Sequence, residues 1–200
     1  MLEYTLEKEL YEQGFSSVCG VDEAGRGPLC GPVVAAAVIL PCGIYIEGLN
    51  DSKKLTEKKR EELFEVICNT AIAFSIEQGS VEEINATNIL EATMNTMRRA
   101  VKNLSVAPDC ALVDGNIARE FPIPAKTVIH GDAISPSIAA ASILAKVTRD
   151  RLCLEMDKQF PQYNIAKHKG YGTREHMELL RKYGAEPSIY RTKFIRFLDK

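Results

Sequence analysis

The longest uninterrupted apolar run in the chain is VVAAAVIL, residues 33–40, closed on either side by Pro32 and Pro41. Eight residues fall far short of the roughly 20 that a membrane-crossing helix needs, and a run this short between prolines reads as a buried strand. Residues 16–23 form a second strand-like segment just before it, so the chain opens as strand, glycine-rich turn, strand. Short apolar segments at residues 71–76, 110–113 and 127–129 predict three more strands. Elsewhere the spacing is helical. Residues 51–69 read as a loop and then a helix, with Thr56 as N-cap and Leu63, Phe64, Val66 and Ile67 facing inward. Residues 81–85, 89–103 and 174–183 read as helices too, and the first fifteen residues are helix-patterned. The clearest helix covers residues 135–159. Ser135 caps it, Pro136 sits in its first turn, and Ile138, Ala141, Leu144, Ala145, Val147 and Leu152 make a stripe whose small members allow close packing. Strands that come early and helices that cover them predict an α/β fold with a mixed central β-sheet.

Composition narrows this picture. Two hundred residues, 46% of them apolar, suffice for one globular domain, and no repeat or long linker divides it. Six cysteines without a CxxC pair, in a chain large enough to need no staples, read as free thiols in a reducing compartment. His130, His168 and His176 lack zinc-ligand spacing. The acidic start has no secretory pattern, so a cytoplasmic protein with no membrane contact is expected. The net charge of −2 conceals a division: residues 163–200 hold nine Lys and Arg against four Asp and Glu, and residues 1–162 hold sixteen against twenty-three. The basic end suits either a solvated face or a phosphate-binding surface.

Candidate chemistry lies in the acids. Asp22, Asp114 and Asp132 each follow an apolar, strand-like segment. A single Asp-Gly after a strand is an ordinary turn, and Asp132, three residues before a helix cap, favours the helix dipole by itself. Together, ionised carboxylates in a partly dry place repel unless cations hold them, and hard oxygen ligands without Cys or His suit Mg²⁺ or Mn²⁺. Glu23 adjoins Asp22, but neighbouring strand residues point to opposite faces. It contributes by side chain if the strand breaks there, or through its carbonyl. The turn after it, Gly25-Arg26-Gly27 and on to Gly31, lacks the GK[ST] of a phosphate loop, and prolines and a following strand disfavour a dinucleotide fingerprint. It reads as bare backbone that a ligand can approach closely, with Arg26 offering a charged fork.

Six segments then resemble the bacterial ribonuclease HII family of type 2 ribonucleases H, in order along nearly the whole chain: GVDEAGRGPLCGPVVAAAVIL, DSKKL at 51–55, INATNILEATMNTM from 84, LVDGN at 112–116, GDAISPSIAAASILAKVTRD from 131 and HKGYGT at 168–173. The resemblance implies a ribonuclease H-like fold, a catalytic domain at residues 1–160 and a helical, basic substrate-binding segment at residues 161–200 packed on it. It implies an endoribonuclease that cuts the RNA strand of RNA/DNA hybrids and nicks 5′ of single ribonucleotides in duplex DNA, leaving 3′-hydroxyl and 5′-phosphate ends. The family's metal-binding quartet falls on Asp22, Glu23, Asp114 and Asp132, for two divalent ions, Mn²⁺ or Mg²⁺, with Asp22 best placed to bridge them. Its substrate residues fall on Gly25, Arg26, Gly27, Lys53 and Tyr171, the tyrosine sensing the junction to DNA; Asp150 is expected to be structural. A monomer acting on hybrid or ribonucleotide-bearing duplex is expected. Two departures stand out: His130, where lysine is common, and Tyr190-Arg191-Thr192-Lys193-Phe194, where the family commonly has His-Arg-x-Ser-Phe. A junction resolvase of the same superfamily, a silent hybrid-binding module and a nicotinamide enzyme are the competing classes.

Overall fold

The apolar run becomes the second strand of a five-stranded sheet built from β1 (Val18–Ala24), β2 (Val33–Ile39), β3 (Ala73–Gly79), β4 (Cys110–Asp114) and β5 (Ala125–Val128). The computed structural model describes residues 2–199; Lys200, one of the cations counted in the basic end, lies outside them. Strand order is β3-β2-β1-β4-β5. The first three strands pair antiparallel, and β4 and β5 join parallel to β1, which makes the expected mixed sheet.

Among the described residues seven α-helices accompany it: α1 (Thr5–Glu12), α2 (Glu57–Thr70), α3 (Val81–Ala86), α4 (Ile89–Lys102), α5 (Pro136–Gln159), α6 (Ile165–His168) and α7 (Arg174–Tyr183). Alternation along β2 divides the core. Val34, Ala36 and Val38 pack with Leu63 and Ile67 of α2 and Ala140 to Leu144 of α5, while Ala35, Ala37 and Ile39 pack with Met94, Met97 and Ala100 of α4. Both faces are covered, which is why the run shows no polar alternation.

Close approach fixes α5 on the sheet. A Cβ at Gly20 in β1 would lie 2.1 Å from the backbone carbon of Ser137, so only glycine lets the first turn of α5 descend onto β1. That turn is held by the expected Ser135 cap and by buried Glu7 of α1, which accepts from the hydroxyls of Ser135 and Ser137 at 2.6 and 2.8 Å. The carboxylate sits where the helix dipole is positive.

Several elements depart from the sequence expectation. The third strand lies at Ala73–Gly79 rather than 71–76: pairing with β2 begins at Ala73 opposite Ile39 and, at this edge of the sheet, runs on through polar Glu77 and Gln78 to Gly79. Asp132 follows no strand directly: β5 ends at Val128, and Asp132 stands in a one-turn 3-10 helix, Gly131–Ala133, reached through left-handed His130. Beyond Pro161 the chain reads as loop through HKGYGT, but Ile165–His168 form α6. Cys30, Cys153, Tyr163, Ile165, Leu180 and Tyr190 form a further core that joins the end of the chain to α5 and to the glycine turn. All six cysteines are free thiols.

Candidate active site

Strand register brings the first two acids together. Parallel pairing of β1 with β4 runs to Val21 and Val113, so Asp22 and Asp114 are the next positions on neighbouring strands at the same end of the sheet. A cavity of about 230 Å³ opens there, lined by Asp22, Glu23 and Asp114, by Gly25, Arg26 and Gly27, and by Lys53 and Tyr171. β1 continues through Glu23 to Ala24 instead of breaking, still paired with β2, yet both adjacent acids line the cavity, at the end of β1 where pairing with β4 has stopped. Asp132 is 3% exposed and does not line the cavity wall, but Lys53 Nζ donates to its Oδ2 at 3.1 Å and so links it to the group. A larger cavity of about 340 Å³ beside Tyr4, Ile46 and Pro136 is lined by no Asp, Glu, Lys or Arg and offers no comparable chemistry.

Burial and like charge act together on these acids. Asp22, 4% exposed, is held well above the usual carboxylate range by burial first and then by Glu23 and Asp114; the Ser142 hydroxyl and the Glu23 amide, donating to Oδ1 at 2.7 Å, partly offset this. Burial raises Glu23 too, against the opposing pull of Arg26, whose Nη1 lies 3.3 Å from Oε1. Asp114 is raised by burial and by Asp132, while the Gly131 amide donates to it at 2.7 Å. For Lys53, burial pushes the ammonium down, but the hydrogen bond and charge of Asp132, with Asp22 and Asp51, outweigh it and raise the group. This is a place short of positive charge.

The glycine turn is bare for two different reasons. Gly25 has φ +101°, and a Cβ there would lie 2.1 Å from Nε of buried Arg149. Gly27 faces the Tyr171 ring, whose Cε1 would be 3.3 Å from an added Cβ. The ring itself is 48% exposed at the rim. The amides of Arg26 and Gly27 find no acceptor among the described residues, while the Gly25 and Arg26 carbonyls accept from Arg191 at 2.7 and 3.1 Å.

A family model for ribonuclease HII matches residues 19–197. The chain belongs to the ribonuclease HII family. A ribonuclease HII from Acetivibrio thermocellus is 54% identical over 190 residues, covering 95% of this chain and 74% of that protein. Among solved structures, the ribonuclease H2 of Pyrococcus horikoshii superposes with TM-score 0.74 at 27% identity, over 92% of this chain and all of that one. The ribonuclease HII of Archaeoglobus fulgidus, solved in complex with PCNA, superposes with TM-score 0.72 at 26% identity, over 92% and 97% of the two chains. Membership makes the chain a metal-dependent ribonuclease H, a hydrolase acting on RNA/DNA substrates.

The donor set of this ribonuclease HII fits such a metal by its chemistry. The cavity carboxylates are hard oxygen donors, they repel one another, and one of their neighbours already draws in the Lys53 ammonium. Among the described residues no three His, Cys, Asp or Glu side chains stand close enough to enclose an ion as they are. The fit is therefore one of charge and ligand type.

Four cavity residues escaped the sequence reading: Ser52, Ser142, Lys146 and Arg149. The last three stand at i, i+4 and i+7 on α5, a spacing that puts them on one helix face and was legible in principle. Asp150, next in line, is buried and paired with Lys146 and Arg60, in keeping with its structural assignment. His130 is exposed, and its amide neighbour Gly131, rather than its ring, reaches Asp114.

Proposed function

We propose that this cavity nicks duplex DNA on the 5′ side of an embedded ribonucleotide, and cuts the RNA strand of hybrids, leaving 3′-hydroxyl and 5′-phosphate ends. The observation that carries the reading is the meeting of three carboxylates, an unpartnered pair of backbone amides and an exposed tyrosine in one small cavity. Asp22, Glu23, Asp114 and Asp132 would hold two divalent cations, Mg²⁺ or Mn²⁺, and Glu23 would do so by its side chain, since it lines the wall. When bound, such ions supply Lewis acidity at the scissile phosphate and offset its developing charge.

The protein groups do the selecting. A 2′-hydroxyl both donates and accepts, so the amides of Arg26 and Gly27 can read its oxygen, at a turn where no side chain stands between backbone and minor groove. Tyr171 packs on the next sugar and disfavours a second hydroxyl there. Lys53, bound to Asp132, stands beside the carboxylates to meet a phosphate oxygen. Exposed Lys and Arg of residues 161–200, seated on the catalytic domain of residues 1–160, take backbone phosphates without reading sequence. Every group invoked lies on one chain, which supports a monomer, and DNA as substrate supports a cytoplasmic location.

Cleavage of a defined duplex bearing one ribonucleotide, in Mg²⁺ and in Mn²⁺, tests this. One cut 5′ of the ribonucleotide with a 3′-hydroxyl end is expected, and the all-DNA duplex should stay intact. Equal cutting of both duplexes would sink the proposal.

A further inference from the structure

We infer that Tyr190 and Arg191 are positioning residues for substrate reading: one peptide step near the end of the chain sets both the glycine turn and Tyr171. The inference rests on the reading of Arg26, Gly27 and Tyr171 as substrate contacts.

Arg191 is fully buried, and none of the ion pairs among the described residues includes it. All five of its N–H groups go to one loop. Nε donates to Gly31 O at 2.9 Å, Nη1 to Arg26 O at 3.1 Å and Pro28 O at 2.9 Å, and Nη2 to Gly25 O at 2.7 Å and Pro32 O at 3.1 Å. A peptide unit is planar and trans, so its C=O and the following N–H point opposite ways. By drawing the Gly25 and Arg26 carbonyls toward itself, Arg191 turns the Arg26 and Gly27 amides away from itself, and neither amide has a protein acceptor among the described residues. A lysine would offer three donors from a single point and cannot make this pattern.

Tyr190 acts on the other substrate element. It bridges Cys30 of the turn, and its hydroxyl lies 2.8 Å from His176 Nε2. His176 Nδ1 lies 2.9 Å from the Tyr171 carbonyl, which can only accept, so Nδ1 carries the proton and Nε2 accepts from the tyrosine hydroxyl. His168 stacks on His176 at 3.9 Å between centroids and is fixed in the complementary tautomer: the Gly170 amide donates to its Nδ1 and its Nε2 donates to Tyr163 O. Tyr171 thus hangs from Tyr190 through one histidine, and the turn hangs from Arg191. A fixed spacing between the two readers follows from their being tied to adjacent residues.

The test measures kcat and KM on the single-ribonucleotide duplex, Ki for an all-DNA competitor, and the preference for that duplex over an all-RNA hybrid. Arg191→Lys should raise KM about tenfold, the scale of one or two lost hydrogen bonds, while Ki stays unchanged. Tyr190→Phe should lower the preference about fivefold on the same scale, and should add nothing when combined with Tyr171→Ala. A parallel rise of KM and Ki in the lysine variant, or multiplying effects in the double variant, would overturn the inference. Should Arg191→Lys fail to fold, the Tyr190→Phe cycle decides alone. Gly27→Val and Tyr171→Ala serve as references: if both keep full ribonucleotide preference, the reading of the site itself is what has failed.

Discussion

Asp22 sits where its own charge is least welcome, at the open end of the central strand, buried, with Glu23 and Asp114 beside it. Neutralising it without changing its shape should therefore separate stability from activity. Asp22→Asn is expected to raise Tm of the metal-free protein by roughly 2–4 °C, the equivalent of about 1 kcal/mol for a chain this size, and to lower nicking by at least about 100-fold. Thermal melts and a nicking assay check both halves, and near-full activity would remove Asp22 from the site. The same asymmetry gives a readout independent of turnover. Adding Mn²⁺ or Mg²⁺ should raise Tm of the native chain, because a cation that binds only the folded state stabilises it, and Asp22→Asn should blunt that rise. At this level Asp22, Glu23, Asp114, Gly25-Arg26-Gly27, Lys53 and Tyr171, which the sequence singles out because each stands in a short local motif, come together along one cavity. Arg191 was noticed only as part of a departing motif, because its partners lie about 160 positions away.

Helix α5 and strand β1 form the contact on which the site depends. Gly20 gives α5 room to descend, and α5 in turn brings Ser142, Lys146 and Arg149 to the cavity. Gly20→Ala places a methyl against the Ser137 backbone and should cost about 1–3 kcal/mol, seen as a fall in Tm of several degrees. A Tm within one degree of the parent's would mean that the helix is not seated as tightly as the distances require. Helix bounds were legible to within a residue or two for α4, α5 and α7, and the N-caps Thr56 and Ser135 for α2 and α5. The third strand was ended three residues early because an edge strand mixes polar with apolar positions, here Glu77 and Gln78. Asp132 was put at a strand end because residues 127–130 are apolar until His130, but its left-handed backbone turns the chain into a 3-10 helix, which no apolar pattern announces.

For the molecule as a whole, the region that joins the end of the chain to the glycine turn holds buried His176, and this makes stability depend on pH. Burial lowers His176 to about 4, with the neighbouring His168 adding to the effect and hydrogen bonds to backbone opposing it. The unfolded chain takes up the proton near pH 6.5 and the folded one only near 4, so stability is full above about 6.5 and falls as the pH drops through that window. A loss on the order of 2 kcal/mol is expected between those limits, measured by denaturant unfolding at stepped pH, and His176→Gln should flatten that part of the profile. No slope in the native protein would contradict a buried, neutral His176. The α/β class, the strand-turn-strand opening, the long helix and the acidic and glycine-bearing motifs were all present in local order along the chain, because periodicity, caps and short motifs act over a few residues. Which strands lie side by side, that both Asp22 and Glu23 reach one cavity, and that Tyr190 and Arg191 hold two distant loops were decided by the tertiary structure alone, because register, burial and a five-fold hydrogen-bonded arginine exist only once distant segments have met.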